Sequence, residues 1–358
     1  MHDSAYAATD EAMMARALLL ARTAGPLVSP NPAVGAVLTA DGQIIGEGVT
    51  AADGGPHAEV RALRSVAAAH RGRIPGSTLY VTLEPCSIYG RTPPCCDQLV
   101  RERVGRVVVG CIDFTAGVCG AGLERLRAGG VDVRIGALQD EAFALSAPRR
   151  TYVQLDRPYV ILKQAVDARG YVGYASRPAA VTAAAANVVS HAWRAEVDAI
   201  LVGVGTALTD DPQLTARHVA ALRQPTRIVL DPRGRCNPSA RLFDDAAPTL
   251  WAVDTQIAHE LGPPPGVEVL RLEPAARVPS LLTQLHGRRV GRLLVEGGPE
   301  TLRGFLSADA WDEYREWRAS RTLAPADDLV PAADVPGDPS ITTAVGPDLL
   351  RVTHQLTA

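Results

Sequence analysis

The sequence predicts an α/β protein of two successive domains, and three observations predict it. The chain is 358 residues long, beyond a typical single core at roughly 150 residues per domain. Short apolar runs alternate with amphipathic stretches along most of its length, the pattern of strands joined by helical crossovers. The pattern pauses in "LSAPRRTYVQLDRP", at Pro148 and Pro158, and resumes with "YVILKQAV". That pause places a boundary near residue 150 and divides the chain into 1–150 and 151–358.

Taken in order, the first domain opens with apolar residues at helical spacing near 10–24. Next comes "AVGAVLTADGQIIGEGV", two apolar runs joined at Asp41-Gly42, a dipeptide that favours a two-residue hairpin turn. A helix follows at about 57–70, then a strand "TLYVTLEP", a helix at about 95–103, a strand "RVVVGCID", a helix "AGLERLRAGG" and a strand "VDVRIGAL". Helical crossovers make the later part of this sheet parallel. The second domain repeats the theme through "AILVGVGT", "TRIVLDP", "TLWAVD", "VEVLRL" and "RLLVEGGPETL". After Ala324 the run "APADDLVPAADVPGDPS" is rich in Pro, Asp and Ala, and reads as a weakly structured or edge segment.

Composition excludes several classes. A hydrophobic content of 47% with 21% charged residues is that of a soluble globular protein, and no stretch of 18 apolar residues is present to span a bilayer. The N-terminus carries acidic residues early and lacks a basic region and cleavage box, so a cytoplasmic protein is expected. Net charge −3 and 4% aromatics offer neither a phosphate-neutralising stripe nor a base-stacking platform, which argues against a nucleic-acid partner. Six cysteines are too sparse for a disulfide scaffold, yet Cys86, Cys95 and Cys96 crowd one loop.

That crowding is where the chemistry concentrates. A catalytic zinc takes about three protein ligands and keeps one position open. His57 in "GGPHAEV", with Cys86 and Cys95 in "LEPCSIYGRTPPCC", supplies one imidazole and two thiolates. Glu59, two residues beyond the histidine, is placed to carry protons and not to ligate, as in the H-x-E pairing of zinc base deaminases. Both clusters fall at the ends of expected elements, and thiolates near helix N-termini gain from the positive end of the helix dipole. Adjacent cysteines do not easily aim at one ion, and the Pro-Pro context favours Cys95; whether Cys96 contributes stays open. Cys111, Cys119 and Cys236 are expected to be small core or loop residues.

In the second half, "GVGT" (Gly203, Gly205, Thr206) and "EGGPET" (Glu296, Gly297, Gly298) each follow an apolar strand. Exposed amides and a helix start at two strand ends point to a nucleotide-binding site. Asp210-Asp211 is read as a cap and turn before Pro212, and Lys163 either as a snorkelling edge residue or as the partner of a buried anion.

Together "SPNPAVGAVL", "GGPHAEVRAL", "TLEPCSIYGRTPPC", "DAILVGVGTALTDDPQLTAR" and "LLVEGGPETL" resemble the bifunctional pyrimidine deaminase/reductase family of riboflavin biosynthesis, over nearly the whole chain to about residue 315. The eight-residue gap between Cys86 and Cys95 is a mark of that family. The resemblance implies a cytidine-deaminase-like three-layer sandwich, followed by a dihydrofolate-reductase-like α/β domain. It implies zinc-dependent deamination of a phosphoribosylated aminopyrimidine, then NADPH-dependent reduction of the ribosyl group. Carried over by position, His57, Cys86 and Cys95 bind zinc, Glu59 shuttles the proton, and Asn31 in "SPNP" hydrogen-bonds the pyrimidine. Lys163, Thr182, Asp210 and Glu296 take positions associated with substrate or NADPH. A homo-oligomer is implied in the same way.

Some family positions differ. Thr50 stands where a histidine is expected beside the substrate, Ile88-Tyr89 replace a polar run, and "DFTAGVCG" replaces an Asp-Pro-Asn-Pro segment, while Arg91 remains to pair a phosphate. In the second domain Asp167-Ala168-Arg169-Gly170 and Ala180-Val181-Thr182-Ala183 replace the family's Ser-Leu-Asp-Gly and Trp-Ile-Thr-Gly. A carboxylate and a guanidinium are thereby expected in a nicotinamide-adjacent region. Two readings follow: the bifunctional enzyme, or a specialised deaminase paralog with an altered substrate and a non-reducing second domain. A purely structural zinc has no use for Glu59, and an editing deaminase needs a basic channel.

Overall fold

In the computed structural model, residues 2–89, 93–259 and 262–355 are described, with side chains from Thr9 onward. Asp41 and Gly42 adopt left-handed backbone, φ 50° and 73°, which a two-residue hairpin turn demands. There β1 (Gly35–Ala40) folds back antiparallel on β2 (Gln43–Val49). A helix α1 (His2–Arg22) precedes the hairpin, and α2 (Ala58–Ser65), β3 (Thr78–Leu83), α3 (Cys95–Arg101), β4 (Arg106–Cys111), α4 (Ala121–Ala128), β5 (Asp132–Ile135) and α5 (Gln139–Gln154) follow.

The five strands form one sheet in the order β2-β1-β3-β4-β5, parallel from β3 through β5 as helical crossovers require. Its central strands are continuous apolar runs, with Leu79, Val81, Val107 and Val109 fully buried, because helices cover both faces. α1 and α5 pack on one face, and α2 with α3 and α4 on the other. The result is a three-layer sandwich. The approach of α2 is close: a Cβ on Gly48 would stand 2.1 Å from the Ala58 carbonyl oxygen. Glycine on β2 thus brings the start of α2 directly onto the sheet.

The chain divides into two units, Met1–Asp156 and Arg157–Ala358. The pause expected at Pro148 is absent, since α5 runs through it to Gln154; one proline forgoes one helical bond, and the helix continues around it.

The second unit contains β6 (Tyr159–Val166), β7 (Tyr171–Tyr174), α6 (Ala184–Glu196), β8 (Ala199–Gly203), α7 (Val204–Asp210), β9 (Thr226–Leu230), β10 (Thr249–Asp254), β11 (Val267–Leu272), α8 (Arg277–Gly287), β12 (Arg292–Val295), α9 (Pro299–Ser307) and β13 (Glu313–Arg318). They are followed by β14 (Leu329–Pro331), β15 (Ile341–Val345) and β16 (Asp348–His354). Nine strands form a sheet in the order β11-β10-β9-β8-β12-β6-β13-β16-β15. It is parallel from β11 to β13 and antiparallel over β13-β16-β15.

In the segment after Ala324 the weakly structured reading is corrected, while the edge reading fits β15. β16 pairs along the whole of β13, and β14 pairs with β7. Its composition hides this because β15, on the sheet edge, is almost wholly exposed. Lys163 is likewise no edge residue: β6 lies between β12 and β13. Connections leave β8 toward β9 and leave β12 toward β13, so the adjacent carboxyl ends of β8 and β12 form the switch point at which open α/β sheets bind ligands.

Candidate functional site

The turn Gly54-Gly55-Pro56 delivers His57 as the extended N-cap residue of α2. β3 ends just before Glu84-Pro85-Cys86, and Pro94 caps α3, whose first residue is Cys95. Three separate element ends thus bring the side chains of His57, Cys86 and Cys95 together, their ligating atoms all within 4.8 Å of one another. His57 Nδ1 lies 3.5 Å from Cys86 Sγ and 3.3 Å from Cys95 Sγ. Tetrahedral zinc, with sulfur at about 2.3 Å and nitrogen at about 2.0–2.1 Å, sets such ligands roughly 3.5 Å apart. The donor set and its spacing fit a zinc ion.

Electrostatics agree with that fit. The hydrogen bond with Cys86 raises the His57 imidazole to about 9 against the opposing effect of burial. The hydrogen bond from Cys95, joined by His57, draws the Cys86 thiol down to about 4 although burial opposes it. Cys95 is held up by its hydrogen bond to Cys86 and by burial. A divalent cation bound by these donors would displace the protons they share, which pass to solvent. The Cys95 amide, at the start of α3, also donates to Cys86 Sγ at 3.3 Å, the partner a thiolate ligand wants.

Glu59 sits in the first turn of α2 and is 4% exposed. Burial pushes its carboxyl upward, partly offset by the charge of His57, which suits a group that must both take and give a proton. Cys96 faces elsewhere. Its thiol donates to the Pro85 and Gly122 carbonyls at 3.2 and 3.4 Å, and burial raises it to about 12. The geometry turns it away from the other two sulfurs. Cys111 and Cys236 are buried, as expected of core residues, and Cys119 is exposed.

Asn31 Nδ2 donates to Asp53 at 2.8 Å, which leaves its carbonyl oxygen as the other hydrogen-bonding atom of the amide. Thr50, expected beside the substrate, is tied to Val34. Its hydroxyl accepts from the Val34 amide at 3.0 Å and donates to the Val34 carbonyl at 3.4 Å, so it pins the end of β2 to the start of β1 and has little left for a substrate. Arg91 lies outside the described residues. Ile88 and Tyr89 are exposed beside the ligand loop.

In the second unit, Lys163 Nζ lies 3.8 Å from Glu296 Oε2. Burial alone would raise the Glu296 carboxyl, but Arg194 and Lys163 outweigh it and hold it at about 2. Arg194 grips both carboxyl oxygens at 2.8 Å. This arginine went unnoticed in the sequence, where its only signal is one basic residue within an amphipathic helix. Asp210, at the end of α7, is raised by burial and lowered by the charge of Lys163. Asp211 caps α7 with left-handed backbone, and its Oδ1 accepts from the Arg241 amide, as the cap-and-turn reading expects.

The glycines divide by purpose. A Cβ on Gly203 would stand 2.1 Å from Thr301 Oγ1, and one on Gly297 would stand 2.9 Å from Thr301 Cβ. These two serve the packing of β8 and β12 against α9. Gly205 has open space around its Cβ position. Gly298 N donates to Thr206 Oγ1 at 2.9 Å, joining the two strand ends.

Asp167 and Arg169 correct the expectation of new charges facing a cofactor. The fully buried Asp167 carboxylate accepts from the Arg169, Tyr171 and Leu323 amides, each at 2.9 Å. Arg169 donates to the Leu323 carbonyl and lies over the Tyr171 ring. Both are engaged by their own turn and by Leu323. Thr182 lies in a loop fastened by Arg321, which donates to the carbonyls of Ala180, Val181 and Thr182.

Comparisons with known proteins follow the two units. Residues 7–111 match the cytidine and deoxycytidylate deaminase zinc-binding region, and residues 158–323 match the RibD C-terminal domain. The chain is 38% identical over 307 residues to the riboflavin biosynthesis protein RibD of Aquifex aeolicus, covering 85% of each. It is 36% identical over 329 residues to that of Escherichia coli, covering 88% of each. Among solved structures it is similar to the diaminohydroxyphosphoribosylaminopyrimidine deaminase/5-amino-6-(5-phosphoribosylamino)uracil reductase of Thermotoga maritima. That likeness has a TM-score of 0.87 at 34% identity, over 98% of this chain and 99% of the other. It is also similar to RibD of Acinetobacter baumannii, with a TM-score of 0.83 at 31% identity, over 97% of this chain and 99% of the other.

Proposed function

Because the chain belongs to the RibD family, a zinc-dependent deaminase domain joined to a RibD reductase domain in riboflavin biosynthesis, we propose that His57, Cys86 and Cys95 hold its zinc and that Glu59 is the proton carrier. Zinc and NADPH are the cofactors these two domains fit, and the family function is favoured over that of a paralog with an altered substrate. The substrate is proposed to be diaminohydroxyphosphoribosylaminopyrimidine, by likeness to the Thermotoga enzyme. The observation that carries the reading is the meeting of one imidazole and two thiols, with the buried Glu59 carboxyl outside that group in the first turn of α2.

Zinc held there supplies the Lewis acidity that makes water a nucleophile at neutral pH. Water adds its oxygen to the ring carbon, and the exocyclic nitrogen leaves as ammonia. Glu59 takes a proton from the water and delivers it to that nitrogen, so the carboxyl ends the cycle as it began. Burial of Glu59 keeps its proton affinity close to that task. Asn31 presents its carbonyl oxygen to the pyrimidine, and Arg91 is assigned to the substrate phosphate. Thr50 shapes the wall through its bonds to Val34.

In the second domain, reduction of the ribosyl group to a ribityl chain takes a hydride from NADPH and a proton from the protein. Lys163, near Glu296 and Asp210, is proposed to hold that proton. Thr182, Gly203, Gly205, Thr206, Gly297 and Gly298 border the proposed cofactor site, with the Gly205 amide as the open contact. A homo-oligomer, carried over from the resemblance, and a cytoplasmic setting, read from the N-terminal residues, are further proposals.

Purified protein loaded with zinc should release ammonia from the diaminopyrimidine phosphoriboside, and should then oxidise NADPH with the deaminated product. Absence of ammonia release from zinc-loaded protein would overturn the deaminase assignment. Ammonia release without NADPH oxidation would overturn the reductase assignment alone.

A further inference from the structure

Just before the ligand Cys86 stands a second buried acid that the mechanism does not use. Glu84 is 4% exposed at the end of β3, and its own amide donates to the Cys111 carbonyl at 2.9 Å. Its carboxyl receives three backbone N–H groups from the segment that leaves β4: Asp113 at 3.1 Å and Gly120 at 3.0 Å on Oε2, and Gly122 at 2.8 Å on Oε1. The same segment meets Cys96, whose thiol reaches both the Gly122 and the Pro85 carbonyls. Gly122 presses on this junction so closely that a Cβ there would stand 2.2 Å from the Pro85 oxygen.

From this geometry we infer that Glu84 and Cys96 form a clasp that fastens the 113–122 segment to the Pro85–Cys86 step and so positions Cys86 for the metal. The inference rests on the zinc site proposed above. β3 ends at Leu83 and its last ladder bond is that of the Glu84 amide to the Cys111 carbonyl, so the ladder stops short of Cys86. Three amide donors converging on one carboxyl, with a thiol bridging two carbonyls, supply the orientation instead. Glu84 is a positioning residue: it acts through the backbone on Cys86. Partners that orient metal ligands are worth on the order of 10- to 100-fold in metal affinity or activity.

The test is zinc affinity, measured by competition with a chromophoric chelator on folded protein. Glu84→Gln keeps the volume but turns an amide toward donors, and should weaken zinc binding on the order of 10- to 100-fold. Glu84→Asp, which keeps the charge, should recover part of that loss. A merely structural role would lower thermal stability and leave zinc affinity of the folded protein unmoved. Cys96→Ala removes the thiol bonds and leaves Glu84 intact; a several-fold loss is expected there, and it decides the matter should Glu84→Gln fail to fold. Wild-type affinity in the folded variants overturns the clasp. Wild-type protein that takes up no zinc would instead overturn the site itself.

Discussion

At the scale of single residues, burial pushes the carboxyl of each proposed catalytic centre upward, and the neighbouring charges decide the outcome. Glu59 is buried with its charge only partly compensated, so its carboxyl is driven upward. Glu296 is buried between two cations, and is driven down. Glu59→Gln should therefore retain stoichiometric zinc while deamination falls by about 10² to 10⁴, checked by metal analysis beside an ammonia assay. For Glu296 the sign is that of a depressed acid. Its stabilising contribution is complete above the ordinary value of 4.5 and is lost as pH falls toward about 2. A shift of that size corresponds to roughly 3 kcal/mol. All four tryptophans lie beyond residue 156, so their fluorescence reports unfolding of the second unit. The stability gap between wild type and Glu296→Gln should shrink between pH 7 and pH 3; a gap constant across that range would show the carboxylate to be no source of stability.

At the scale of elements, the ends matter more than the middles. The hairpin turn, the α2 start and the α3 start were legible because Asp-Gly, Gly-Pro and Pro-Pro punctuate the chain whatever surrounds them. Strand-end glycines were legible as glycines but not by purpose. Gly203→Ala should cost about 1–3 kcal/mol in the second unit, because its methyl meets the Thr301 hydroxyl. Gly205→Ala, with open space around it, should leave the fluorescence-detected midpoint nearly unchanged and weaken NADPH binding, measured by titration. Equal stability losses in both variants would remove the distinction. The segment after Ala324 is hard to read from sequence because β14 and β16 pair with β7 and β13, far away along the chain, and local composition carries no trace of such a partner.

For the whole molecule, zinc belongs to one half of the chemistry and NADPH to the other. Stripping the metal with a chelator should abolish ammonia release while NADPH oxidation on preformed deaminated product continues, and restored zinc should bring ammonia release back. Loss of both activities on chelation would place the metal in the reductase reaction as well. Among the described residues no helix is long and apolar enough to cross a membrane.

The sequence alone determined the layered α/β class and singled out the imidazole and two thiols proposed as metal donors. Periodicity, turn residues and ligand type are properties of short stretches of chain. Only the tertiary structure decided that Cys96 turns away, that the Thr50 hydroxyl bonds Val34, that the Leu323 amide helps to satisfy Asp167, and that Arg194 holds Glu296. Each of these depends on where a side chain points relative to atoms distant along the chain, and direction in space is set by packing.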